Sequence, residues 1–142
     1  MEELSKLLFK VIKKMKLIAA IALVTTANAA TAKHTLCYDN GSQAGQCLTE
    51  EIVYTAYNWD ATAKDLTAAG SDHLGEFTFD GSVQGDKTVI TKTWTSGFGG
   101  DSGLVGTVNL HGSPDKSGEF SGKFDYSTNT GITGEGTVSV NL

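Results

Sequence analysis

The stretch GEFSGKFDYSTNTGITGEGTVSVNL, residues 118–142, decides the fold class. Phe120, Gly122, Phe124 and Tyr126 alternate with Glu119, Ser121, Lys123 and Asp125, the two-residue period that sends one set of side chains to a buried face and the other to water. After the turn formers Ser127 to Gly131, the set Ile132, Gly134, Gly136, Val138, Val140 and Leu142 alternates in the same way. Two such strands joined by a turn make a β-hairpin. A loop over 127–131 sets Tyr126 opposite Ile132, Phe124 opposite Gly134, Lys123 opposite Glu135, Gly122 opposite Gly136 and Phe120 opposite Val138. Rings over bare glycines and a lysine facing a glutamate are favourable cross-strand pairs, and the glycines let the sheet bend sharply.

The rest of the chain after residue 29 reads in the same alphabet. Leu104, Gly106, Val108 and Leu110 alternate with polar residues over 103–111, and Phe77, Phe79, Gly81 and Val83 do so over 74–84. The segment 88–96 places Ile90, Lys92 and Trp94 on one face, and 35–38 is a short strand. Over 51–59 the β-branched and aromatic content of Ile52 to Trp59 favours a strand although both faces are partly apolar. Residues 61–69 are expected to form a short helix with Asp60 as its N-cap and Gly70 just beyond its end. The sum is an all-β protein of seven or eight antiparallel strands joined in sequence, an up-and-down barrel or a sandwich. Inward glycines at 81, 106, 122, 134 and 136 favour the barrel, because they relieve crowding where a small barrel curves.

Residues 1–29 read as a secretory signal peptide. Lys13, Lys14 and Lys16 precede the apolar run Leu17 to Val24 and then Ala27-Asn28-Ala29, so cleavage is expected after Ala29, with a cut after Ala32 as second choice. Met15 is an alternative start. Residues 30–142 then form a single β domain, exported to the periplasm or the extracellular space. That domain has 6 lysines, no arginine and 14 carboxylates, a net charge of −8. So acidic a chain disfavours nucleic acid, which needs a basic face, and membrane insertion is not expected. Cys37 and Cys47, in an oxidising compartment, are expected to form one intramolecular disulfide.

Motifs for chemistry are sparse. Gly100-Asp101-Ser102-Gly103 resembles the nucleophile motif of the trypsin-like serine proteases over four residues; Leu104-Val105 stands where that family has Gly-Pro, and the domain is about half the length of its two barrels. The string is therefore read as a glycine-rich loop. Asp80, Ser82, Gln84 and Gly85 match only the first half of an EF-hand loop, since Thr91 stands where its final glutamate belongs. His34, His73 and His111 share no metal-binding spacing and read as isolated surface residues. No metal, cofactor or catalytic residue is assigned. Lys92, lying between Ile90 and Trp94, either reaches into a cavity or is an inward lysine that protects a sheet edge; the edge reading is preferred. The expected function is non-catalytic binding, first of a protein or surface partner. A second expectation is a small-molecule ligand held in the barrel by Trp59, Phe77, Lys92, Trp94 and Phe124, and a third is a small outer-membrane barrel.

Overall fold

In the computed structural model, residues 30–142 are described; the expected signal peptide lies outside them. Eight antiparallel strands follow one another round a closed barrel: β1 (Thr31–Tyr38), β2 (Cys47–Asp60), β3 (Asp65–Asp72), β4 (Gly75–Gln84), β5 (Lys87–Trp94), β6 (Val105–Leu110), β7 (Phe120–Thr128) and β8 (Thr133–Asn141). One helical turn, α1 (Gly97–Asp101), lies between β5 and β6. Each strand bonds to its sequence neighbour, and β1 also bonds to β8, with Leu36 opposite Gly136. Of the barrel and the sandwich, the chain forms the barrel.

The alternation explains the interior. Phe77 and Ile90 are almost fully buried, with Phe124, Leu110, Leu66 and Val140 buried round them, while Thr78, Thr91 and Thr93 face water. In the terminal hairpin the faces are as expected, but the register differs by two residues. Phe124 faces Gly136, Tyr126 faces Gly134, Phe120 faces Val140, and Lys123 faces Thr137 rather than Glu135. A slip of two keeps every side chain on its face, so alternation cannot see it. The turn chemistry sets it. β7 runs on to Thr128, whose N–H donates to the Ile132 carbonyl at 2.9 Å, and the Asn129 amide donates to the Gly103 carbonyl at 3.0 Å. Phe124→Ala is therefore expected to cost about 3–5 kcal/mol and the exposed Lys123→Ala under about 1 kcal/mol, as read by chemical denaturation. Similar midpoints would put Phe124 on the wrong face.

The expected helix over 61–69 is corrected to a tight turn followed by β3. Asp60 does act as a cap, its Oδ1 accepting the Thr62 and Ala63 N–H groups at 2.9 Å each, but Lys64 then takes φ +58° and ends the turn. Leu66, Ala68 and Gly70 alternate inward from there, small residues that carry little strand signal. β2 contains the other irregularity. Tyr54 pairs with Gly70 and Ala56 with Ala69, so Thr55 is an extra residue, a bulge. Ile52 and Tyr54 point inward before it and Tyr57 after it, which is why both faces of this segment looked partly apolar.

The ends of the barrel differ. The connection 111–119 plugs one: the buried Tyr57 hydroxyl donates to the Gly118 carbonyl at 2.7 Å, and Thr88 Oγ1 donates to the Gly112 carbonyl at 2.7 Å. Burial pushes the Tyr57 hydroxyl up to about 12, with the Asp115 charge adding to the effect, so it stays a donor at neutral pH. Ala30 is buried at the same end and its carbonyl accepts the Tyr54 N–H at 2.9 Å. The mouth lies opposite, ringed by the connections 39–46, 73–74, 95–104 and 129–132. Cys37 and Cys47 face each other across β1 and β2 at this rim and form the expected disulfide, a bond that suits an oxidising, exported compartment. No described helix is long and apolar enough to cross a membrane.

Candidate functional site

Two neighbouring spaces lie toward the mouth, with lining residues in common. The inner cavity, about 80 Å³, is walled by the interior side chains of the strands, and the outer vestibule, about 700 Å³, lies among the rim connections. Tyr38, Leu48, His73, Leu74 and Tyr126 line both and form the collar between them.

Inward-pointing polar residues gather on one wall of the inner cavity. His34 on β1 and Glu50 on β2 are a directly opposed cross-strand pair, with His34 Nε2 at 3.5 Å from Glu50 Oε2. The β3–β4 turn then brings His73 over Glu50, whose Oε1 accepts the His73 N–H at 2.8 Å, while Nδ1 lies 3.1 Å from Oε2. Beside them Asp72 ends β3. Its Oδ2 accepts Lys92 Nζ at 2.5 Å, and its Oδ1 accepts Trp94 Nε1 and the Leu74 N–H at 2.9 Å each. The Lys92 ammonium also sits 4.1 Å from the Phe77 ring centroid and 4.5 Å from that of Trp94, a cation–π seat.

These contacts set the charges. Burial raises Asp72, yet the Lys92 charge and the hydrogen bonds from Lys92, Trp94 and Leu74 outweigh it and hold the carboxyl below its usual range. Burial pulls the Lys92 ammonium down against the opposing pull of Asp72. With three donors aimed at Asp72 the pair is ionic, and its charges cancel. His34 is lowered, first by burial and then by Lys92, against Glu50 and Asp72. The folded protein therefore binds fewer protons at His34 and Asp72 than the unfolded chain does. Their contribution to stability is present at neutral pH and lost on acidification, for His34 below the ordinary imidazole value of about 6.5 and for Asp72 below about 3.9. The melting midpoint is expected to fall in these two stages, and His34→Gln to remove the upper one. A flat midpoint between about pH 7 and 5 would show that His34 takes its proton without cost.

Of the five residues assigned to a pocket from sequence, Lys92, Trp94 and Phe124 line the inner cavity and Phe77 lies against Lys92. Trp59 is elsewhere, packed on Gly118 at the plugged end, and its buried Nε1 has no partner among the described residues. The edge reading of Lys92 is corrected: β5 bonds to both β4 and β6, so the closed sheet offers no edge there. His34 is no surface residue either. Its side chain is 16 % exposed and stands edge-on to Phe124, whereas His111 is exposed and bonds Asp125 on the outer wall. The signal for His34, Glu50 and Asp72 was phase. Each falls in step with inward neighbours, Ala32 and Leu36, Leu48 and Ile52, or Ala68 and Gly70.

Ligand atoms of Glu50, Asp72 and His73 lie within 4.8 Å of one another, the spacing of a metal cluster. The donor set does not suit one, because Asp72 is already taken by three donors, one of them an ammonium. The Ser102 hydroxyl donates to the Phe98 carbonyl at 2.8 Å, closing α1, and the His73 ring lies against Glu50. No protein-family model matches the chain, and no curated protein matches it.

Proposed function

We propose that the barrel binds a small organic molecule that enters at the mouth, lodges one group in the inner cavity and leaves its bulk in the vestibule. This takes the second sequence expectation in preference to a protein partner. The observation that carries it is the pair of neighbouring spaces, walled in part by the same residues, above a plugged end. A vestibule of about 700 Å³ falls within the 300–1,000 Å³ typical of ligand sites, while about 80 Å³ has room for only a few heavy atoms, given roughly 30 Å³ per liquid water. Leu36, Ile52, Val108 and Val138 make that inner space mainly apolar, with the polar wall available to orient a head group. The partner-binding alternative draws on the 73 % exposed Phe98 at the rim, a single residue without an apolar surround wide enough for a standard interface.

Export fits this reading. A cut after Ala29 leaves Ala30 and Ala32, both buried, in the barrel, whereas a cut after Ala32 would remove them along with the start of β1. The outer wall is rich in threonine and charge, and the exposed large hydrophobics among the described residues are Val53, Phe98 and Leu142, which form no lipid-facing band. A water-facing barrel in the periplasm or outside the cell is therefore proposed. The test is titration with a neutral probe, hexanol, followed by methyl and indole NMR shifts. Perturbations at Leu36, Val138 and Trp94, weakened by the cavity-filling Val138→Phe, are expected. Shifts confined to the outer wall would sink the proposal.

A further inference from the structure

We infer that the molecule taken by this interior is an organic cation, an alkylammonium whose charged end passes the tyrosine collar and rests against Glu50. The inference builds on the small-molecule reading above and adds the ligand's chemical class.

Three observations converge on it. The first is the charge count inside the cavity, where Asp72 and Lys92 cancel within one ion pair and Glu50 remains. The neighbour of Glu50 across the strands, His34, is kept neutral by burial and by Lys92, and His73 is half exposed at the collar, where water screens it. Glu50 is only 17 % exposed, and its partners are the His73 N–H and the ring nitrogens of His34 and His73 rather than an ammonium, so a cation brought against it supplies the full opposite charge that buried carboxylates favour.

The second is the approach. The rim and the strand ends next to it expose Asp39, Glu76, Asp101 and Glu135. The exposed lysines among the described residues, Lys33, Lys64, Lys87, Lys116 and Lys123, lie on the plugged end or the wall nearest it. The net −8 of residues 30–142 is thus sharpened at the mouth, a field that concentrates cations there and repels anions. The third is the collar itself, since Tyr38 and Tyr126 line both the vestibule and the inner cavity that holds Glu50, and an aromatic face attracts an ammonium but not an anion. The volume agrees, because about 80 Å³ admits an ammonium with one or a few methylenes and leaves the alkyl chain to the vestibule.

The probes are hexylammonium, hexanol and hexanoate, equal in length and different in charge. They are titrated calorimetrically at low salt and mildly alkaline pH, where imidazoles are neutral. Hexylammonium is expected to bind about tenfold or more tighter than hexanol, and hexanoate weaker than both. Glu50→Gln, which retains an oxygen to accept the His73 N–H, should bring hexylammonium to within about threefold of hexanol. Hexanol binding as tightly as hexylammonium, hexanoate binding more tightly, or a preference that survives Glu50→Gln would overturn the cation inference and leave the small-molecule reading standing. Binding of none of the three would overturn both. Should Glu50→Gln fail to fold, the order of the three probes on the unaltered protein decides.

Discussion

Asp72→Ala is expected to destabilise the barrel by about 3–5 kcal/mol, among the largest losses any single substitution should cause here. The side chains of Asp72 and Lys92 are only 3 % and 8 % exposed, so removing the carboxylate leaves an interior ammonium without the partner it bonds, with only the more distant Glu50 to oppose its charge, and the Trp94 indole without its acceptor. The double replacement Asp72→Leu with Lys92→Met should recover most of the loss, because a buried pair replaced by apolar groups of similar volume is often neutral or stabilising. Urea denaturation of the three proteins tests this. A single variant within about 1 kcal/mol of the parent would mean that Lys92 sheds its proton or finds solvent.

Gly136→Ala is the second large effect. Gly136 stands between Leu36 of β1 and Phe124 of β7, at the seam that closes the barrel. A Cβ there would lie 1.7 Å from the Thr35 carbonyl oxygen, a backbone atom that cannot turn aside as a side chain could. Accommodating it requires parting β1 from β8. A cost above about 3 kcal/mol is expected, at or beyond the usual range for overpacking, because the distortion falls on ladder hydrogen bonds as well as on packing. Gly131 in the β7–β8 loop is the control. Its φ is +85° but nothing lies within 4 Å of a new Cβ, so alanine there pays only backbone strain, about 1–2 kcal/mol. Equal melting midpoints for the two variants would show that the seam is loose.

The sequence by itself determined which side chains share a face. Alternation alone placed Phe77, Ile90, Lys92, Trp94, Phe120 and Phe124 inward, and five inward glycines pointed to a curved, closed sheet. That works because the pleat enforces a period of two whatever the neighbours are. The same period is blind to a shift of two, so the hairpin register waited on the bonds made by Thr128 and Asn129. It is also broken by an extra residue, so Thr55 hid the true inward face of β2, and it is weak where inward residues are small, so β3 read as a helix. Only the tertiary structure decided the site. His34, Glu50, Asp72 and Lys92 come from four strands, and no spacing along the chain encodes their meeting. Closing the sheet brings them together, and burial then forces the polar groups to pair with one another because water is no longer there to do so.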